Sequence, residues 1–300
     1  MKEQADQGVV RHLLLTYPGI MLAVFFLGPF GIMFLISFFE AETASFVPTF
    51  VLSNYARLLS PVFIHVLLFS IYLGALVAVI CVAIGFPFTY LLSGLRLRAQ
   101  TRWLVFLLSV LSLSEVIIAF SWSMLLSRSA GVSNLFVWLG LMDQPASYTP
   151  GLAAEIFGYC YLTLPYTVIM FYPRVSQLDP EMAEAAQTMG ASPLRAFFTV
   201  IVPAMRQPII ASLIFVFVFT LGVYLIPQIL ARPSQWTLSV LITDQAVQQS
   251  NMPFAAALSV FLFFVSILLI AATYMLGLRN RGQPAAVEVA EAEPMTGDAA

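Results

Sequence analysis

Charge is what this sequence has least of: Asp, Glu, Lys and Arg make up 9% of its 300 residues, where a soluble domain carries about 25%. With 60% hydrophobic residues as well, the chain reads as an integral membrane protein and not as a soluble enzyme domain. Lysine occurs once, at Lys2, so no glycine-rich phosphate loop of the G-x-x-x-x-G-K-[ST] type can form, and the chain cannot hold ATP in that manner. Any ATP hydrolysis has to come from a partner. The two histidines, His12 and His65, lack metal-ligand spacing to another His or Cys, which excludes H-E-x-x-H and most zinc arrangements, and no cofactor is expected. Cys81 and Cys160 stand singly in different apolar runs and read as packed thiols, not as a disulfide or redox pair. A serine nucleophile would need a base, and His65 is the single candidate in or near an apolar run, so catalysis is not what these residues are arranged for. No basic patch with interleaved aromatics is present, which argues against nucleic acid. The 26 phenylalanines fit lipid contact and helix packing instead.

What the chain does have is long apolar runs. Counted as stretches of about 20 residues, they predict six membrane spans: Tyr17–Phe39, Pro61–Leu92, Trp103–Leu126, Gly151–Tyr172, Gln207–Leu230 and Met252–Leu276. The second is too long for one untilted helix, so either it tilts or it begins with an interfacial portion around Val62–Leu68. Gly or Pro recurs in the spans (Gly28-Pro29, Gly85, Pro87, Pro165, Gly222, Pro227), which favours a packed bundle of bent helices over a loose array. The first run is longer than a signal-peptide core and lacks a small-residue cleavage site, so it reads as a retained helix.

Cations orient the bundle. Lys2, Arg11, Arg96, Arg98, Arg102, Arg174, Arg195, Arg206, Arg279 and Arg281 fall on one side of the six-span arrangement, with Arg57, Arg128 and Arg232 on the other. By the positive-inside rule the first side is cytoplasmic, and it carries both termini. Residues 1–16 form a cytoplasmic N-terminal segment and 17–276 the membrane domain. The acidic, alanine-rich tail within 277–300 reads as disordered.

A polar island, Asp179–Pro208, lies between the fourth and fifth runs on the cytoplasmic side. Asp179 can cap a first helix with Pro180 at its first position; Gly190 ends it. Ser192-Pro193 repeats the signal and starts a second helix with Leu194, Phe197 and Phe198, before Pro203 and Pro208 break the chain again. The simplest reading is an amphipathic hairpin at the membrane surface, an elbow. Its register says more. Glu184-Ala185-Ala186, three residues, Gly190, nine residues and Val200-Ile201-Val202-Pro203 closely resemble the EAA signature, EAA-x3-G-x9-I-x-L-P, of permease subunits of bacterial ABC importers, with Val200 and Val202 as conservative replacements. The resemblance implies an all-α, six-helix type I importer permease fold, in which the elbow docks on a cytoplasmic ATPase subunit through Glu184, Ala185, Ala186, Gly190 and Pro203. It implies further a dimer of ATPase subunits, a second permease (a different one in the polyamine branch), a periplasmic binding protein, and a bacterial inner membrane around the whole.

Weaker matches spread over residues 50–275 resemble the polyamine branch, with iron and related small ions as near cousins: Asn54-Tyr55 with Leu58, Gly85-x-Pro87-x-x-Tyr90, Gly131-x-x-Asn134, Leu164-Pro165-Tyr166 and Gly222-x-Tyr224-x-x-Pro227. There are departures. Val223 stands where the family often has an acid, Leu230-Ala231-Arg232 replaces a Leu-Gly-Gly, and Ser114-Glu115 replaces proline and arginine. A competing class, a secondary transporter, would carry an internal inverted repeat, and none is evident.

Intramembrane charge is where transport chemistry is sought first. Glu115, amid Ser109, Ser112, Ser114, Ser121 and Ser123, can either attract a cation in a wet pathway or lock packing by hydrogen bonds. With Ser112, Trp122 and Tyr224 it makes up the candidate pathway set. Glu155 and Asp244 are expected to be solvated at the outer face, with a role in receiving substrate or docking a binding protein as the alternative. Trp236–Val247 has the pattern of an interfacial helix, a docking surface or a re-entrant scoop that seals the bundle.

Overall fold

The computed structural model describes residues 16–279 except 43, 44, 48, 130 and 180. The terminal segments, Pro180 and Arg281 lie outside the described residues. Four helices are long and apolar enough to span a bilayer: α1 (Thr16–Ile36, with a π-helical stretch at Ala23–Leu27), α3 (Pro61–Ser93), α7 (Leu152–Val175) and α13 (Met252–Arg279). Between α1 and α3 lie a two-stranded antiparallel hairpin, β1 (Glu40–Glu42) with β2 (Ser45–Val47), and the short helix α2 (Ser53–Arg57). The remaining two spans are bent pairs. The third consists of α4 (Leu97–Leu111) and α5 (Glu115–Leu125), which meet at 93°. A short outer helix, α6 (Val132–Trp138), follows. The elbow holds α8 (Glu181–Thr188) and α9 (Pro193–Ala204); α9 meets α10 (Arg206–Gly222) at 75°. The chain then continues through α11 (Leu225–Leu230), α12 (Leu238–Thr243) and a π turn, Asp244–Gln248, into α13. The described residues thus form a helical membrane bundle with one small hairpin, of four unbroken spans and up to six if each bent pair counts as one, and the third and fifth are not the continuous helices that their hydropathy suggests.

Helix α3 begins at a Ser60 cap, whose hydroxyl accepts from Phe63 N, with Pro61 at the first position. Its 33 residues extend about 50 Å at 1.5 Å per residue, well beyond a hydrocarbon core of about 30 Å. It runs unbroken, Pro87 included. Phe63 is buried under Leu238 and Leu258 with Leu58, inside the bundle. Further along, Leu73, Val77 and Cys81 pack with Tyr159, Val216 and Ile226 in the main core, and Cys81 Sγ lies 3.0 Å from Thr163 Oγ1.

Helices α3 and α7 meet along a seam that needs a glycine. A Cβ on Gly85 would stand 2.9 Å from the Thr167 methyl, and Thr167 is itself fully buried. By contrast, a Cβ on Gly222 meets nothing within 4 Å. Gly85→Val is therefore expected to destabilise the purified protein by about 1–3 kcal/mol through overpacking, read as a clear fall in melting temperature. Gly222→Ala is expected to leave it near the native value, and equal melting temperatures for the two variants would show that the seam is not tight.

The Asn54-Tyr55 pair ties the first span to the second. Asn54 Nδ2 donates to Ser37 O (3.0 Å) and Phe39 O (2.9 Å), and the Tyr55 hydroxyl lies 2.7 Å from Ser37 Oγ. These bonds satisfy the carbonyls left open where α1 ends.

Candidate functional site

Two places in the fold combine irregular backbone with polar side chains. The first is the break in the fifth span. Pro227 has no N–H to give to Val223 O four residues earlier, so a continuous helix is not available there. Val223 is extended (ψ 129°), and α11 starts after Tyr224. In a membrane each freed backbone group must find a partner inside the protein. Val223 O accepts from Ser239 Oγ at 2.7 Å and from the Tyr159 hydroxyl at 3.4 Å. Leu225 N and Ile226 N donate to Glu115 Oε1 at 2.9 and 3.3 Å. Glu115 is also the first residue of α5, where an acid is favoured by the helix dipole. One carboxylate thus binds the broken third span to the broken fifth.

The break in the third span has its own local cause. Ser109 and Ser112 donate their hydroxyls back to Val105 O and Leu108 O of α4, a competition that weakens a helix near its end. Both side chains are exposed. Of the pathway set, then, the structure brings Glu115 to the residues next to Tyr224, which is half-buried. Ser112 stays bonded to its own helix. Trp122 belongs to a different surface, an apolar pocket of about 280 Å3 in the crook between α4, α5 and α7. Its indole packs against the rings of Phe157 and Tyr161, with centroids 6.1 and 5.6 Å away.

The expectation for one of the two acids needs correction. Glu155 is not solvated: it is fully buried, and neither carboxylate oxygen has a hydrogen-bond partner among the described residues. The N-terminal part of α7 is covered by α11, with Gly151 N bonded to Leu230 O (2.8 Å) and Gly158 under Leu230 and Ile226. Hydropathy gave no sign of this cover. Asp244 is half-buried at the start of the π turn. The segment 236–247 tucks inward: Leu238 is fully buried, Leu241 and Ile242 join the cluster around Leu258, and Ser70 Oγ accepts from Leu238 N at 2.8 Å. This is a scoop that seals the bundle.

The second place is the elbow. Asp179 Oδ1 accepts from Glu181 N (3.0 Å) and Ser192 Oγ from Arg195 N (3.3 Å), so both helices start where their caps lie. Gly190 has φ +90° with nothing near a Cβ position, the left-handed stop that glycine allows. The prolines act differently from expectation. Pro203 lies within α9 and, lacking an N–H, leaves the preceding Phe197–Ile201 turn π-helical; the bend itself falls at Met205, and Pro208 sits harmlessly in the first turn of α10.

One side of the elbow is anchored and the other bare. Ala183, Ile201 and Met205 are buried with Val82 and Phe86 of α3 and Phe171 and Val175 of α7. Phe197 packs on Phe86 and Tyr90, centroids 5.4 and 5.2 Å away. Glu184, Ala185, Gly190 and Pro203 are exposed and Ala186 half-exposed. Met189 is 89% exposed and Leu194 70%, an apolar display of the kind that marks an interaction surface. A hollow of about 880 Å3 opens beside it, between the end of α7 and the α9–α10 bend, with Arg174 and Arg206 in its wall.

Against known proteins, the chain is 30% identical over 232 residues to the spermidine/putrescine transport system permease PotB of Escherichia coli K12, covering 76% of this chain and 84% of that one. It is 26% identical to PotB of Haemophilus influenzae over 84% of this chain and 89% of the relative. The inner membrane ABC transporter permease YdcU of E. coli is 27% identical over 85% and 88%. No protein-family model matches the sequence. Among solved structures, a bacterial alginate ABC transporter in complex with its alginate-bound periplasmic protein superposes with a TM-score of 0.76 at 16% identity, over 94% of this chain and 98% of that one. The chain belongs to the permease family of ABC importers that includes PotB. It is a non-catalytic membrane subunit with the importer permease fold.

Proposed function

We propose that the chain forms one half of the translocation pathway of an ATP-driven importer in a bacterial inner membrane, and that its cargo is a polyamine of the spermidine or putrescine type. What supports this most is that an elbow in EAA register, bare on its outer side, occurs in a chain 30% identical to PotB. On this reading 17–276 is the permease domain, 179–208 its coupling elbow, and 1–16 and 277–300 cytoplasmic extensions. Two ATPase subunits form a dimer below, each gripping an elbow through Glu184, Ala185, Ala186 and Gly190, with Pro203 fixing the elbow's second arm. A second, related permease supplies the other half of the pathway, and a binding protein delivers cargo from outside. Membrane lipid surrounds the exposed apolar faces of the helices. The arginine distribution supports an orientation with the elbow and both termini in the cytoplasm.

The test is reconstitution. A tagged chain co-expressed with its companion subunits should recover an ATPase, and proteoliposomes containing the complex and a loaded binding protein should take up labelled spermidine only when ATP is present. Uptake without any ATPase subunit would leave a secondary transporter instead. ATP hydrolysis stimulated by the binding protein, with indifference to spermidine and putrescine and uptake of ferric iron or another solute, would keep the importer and overturn the cargo.

A further inference from the structure

The sequence draws attention to Glu115, but in the folded chain that carboxylate is engaged, holding the two amides at the start of α11. The carboxylate without a partner is Glu155. It sits in the first turns of α7 with no exposed surface and both oxygens unbonded among the described residues. Its surroundings are otherwise well satisfied: Ser239 donates to Val223 O, Thr237 and Ser239 hydroxyls lie 2.9 Å apart, and Tyr159 donates to Val223 O. Tyr159 follows Glu155 by four residues on the same face of α7.

A carboxylate buried without a partner is strongly destabilising, and a well-packed apolar or neutral side chain of similar size would serve the fold better. Its presence points to a partner that is absent in this conformation. The chemistry around it specifies that partner. Two carboxylate oxygens accept, and the Tyr159 oxygen, whose proton goes to Val223 O, can accept as well. A primary ammonium has three N–H donors and a unit positive charge, which matches this set. We propose that Glu155, with the Tyr159 hydroxyl, is a counter-charge site for an ammonium group of the imported amine near the outer end of the pathway. The proposal rests on the polyamine reading above.

Access requires α11 to lift, and the fold provides for this. The helix is joined to α10 by the non-helical Val223–Tyr224, so lifting it breaks no helical hydrogen bond, but it must release Leu225 N and Ile226 N from Glu115 and draw Ile226 and Leu230 off Gly158. On its far side it is held by Gly151 N on Leu230 O and, just beyond its end, Arg232 Nε on Pro150 O (3.1 Å).

The test uses the full complex in proteoliposomes with Glu155→Gln, which keeps shape and removes charge, and Glu155→Asp, which keeps charge. Glu155→Gln should lower the maximal rate of spermidine uptake at least tenfold, while the melting temperature of the complex stays level or rises. Glu155→Asp should retain a substantial part of the rate. Native uptake in Glu155→Gln would overturn the proposal. So would loss of uptake in Glu155→Asp as complete as in Glu155→Gln, or a fall in melting temperature in both, since either outcome assigns Glu155 to packing. If the unaltered complex imports no polyamine, the cargo reading fails and this inference falls with it, a result distinct from native import that ignores the substitution.

Discussion

Gly190→Asp is expected to leave an importer that inserts and folds but no longer couples. The residue turns at φ +90°, a conformation that costs an L-residue about 1–2 kcal/mol, so any side chain pushes the junction of α8 and α9 toward another geometry. Nothing in this chain occupies the space a side chain would enter. A charged one would therefore project from the bare side of the elbow, beside the exposed Met189, into whatever docks there. Gly190→Ala carries the backbone strain alone and should reduce substrate-stimulated ATP hydrolysis only partly. Gly190→Asp should reduce it to near the unstimulated rate, and Glu184→Lys should do the same by reversing a charge on the exposed surface. Membrane insertion should be native in all three, because the buried side of the elbow (Ala183, Ile201, Met205) is untouched. Normal uptake with an ATPase still recovered in a pull-down of Gly190→Asp or Glu184→Lys would count decisively against the docking role.

Glu115 separates two uses of one carboxylate. Glu115→Ala leaves Leu225 N and Ile226 N without the acceptor they have now, and each unsatisfied group costs roughly 1–3 kcal/mol when buried. A marked drop in melting temperature is expected, together with loss of uptake as α11 loosens from α5. Glu115→Gln retains a side-chain oxygen that can accept the same two bonds, so melting temperature and uptake should both return close to native. A Gln variant that melts normally but does not import would show that the negative charge itself acts on cargo, and would return Glu115 to the pathway.

Much of this was readable from residue order. Caps, prolines and the left-handed glycine predicted the elbow, because those signals act within four or five residues of chain. Long apolar runs predicted the spans for the same reason. What escaped was non-local. The bend at Ser112–Ser114 falls inside a hydropathic run that says nothing of direction. Burial of Glu155 depends on α11, some 70 residues later, folding back over the start of α7. The partners of Val223 O come from α7 and α12. One signal was available: Pro227 frees the carbonyl four residues before it, and a freed carbonyl in a membrane demands a donor.

The length of α3 has a mechanical meaning. One end packs under the 236–247 scoop through Phe63, the other carries the elbow through Phe86 and Tyr90 beside the Gly85–Thr167 contact, and Leu73, Val77 and Cys81 between them pack in the main core. A stiff rod held this way transmits displacement as a rocker does. For a helix about 50 Å long, a tilt of roughly 10° about its middle carries each tip about 4 Å in opposite senses. A tug on the elbow would thereby be felt at the Phe63 end as a lateral shift of the scoop, with no signal relayed residue by residue.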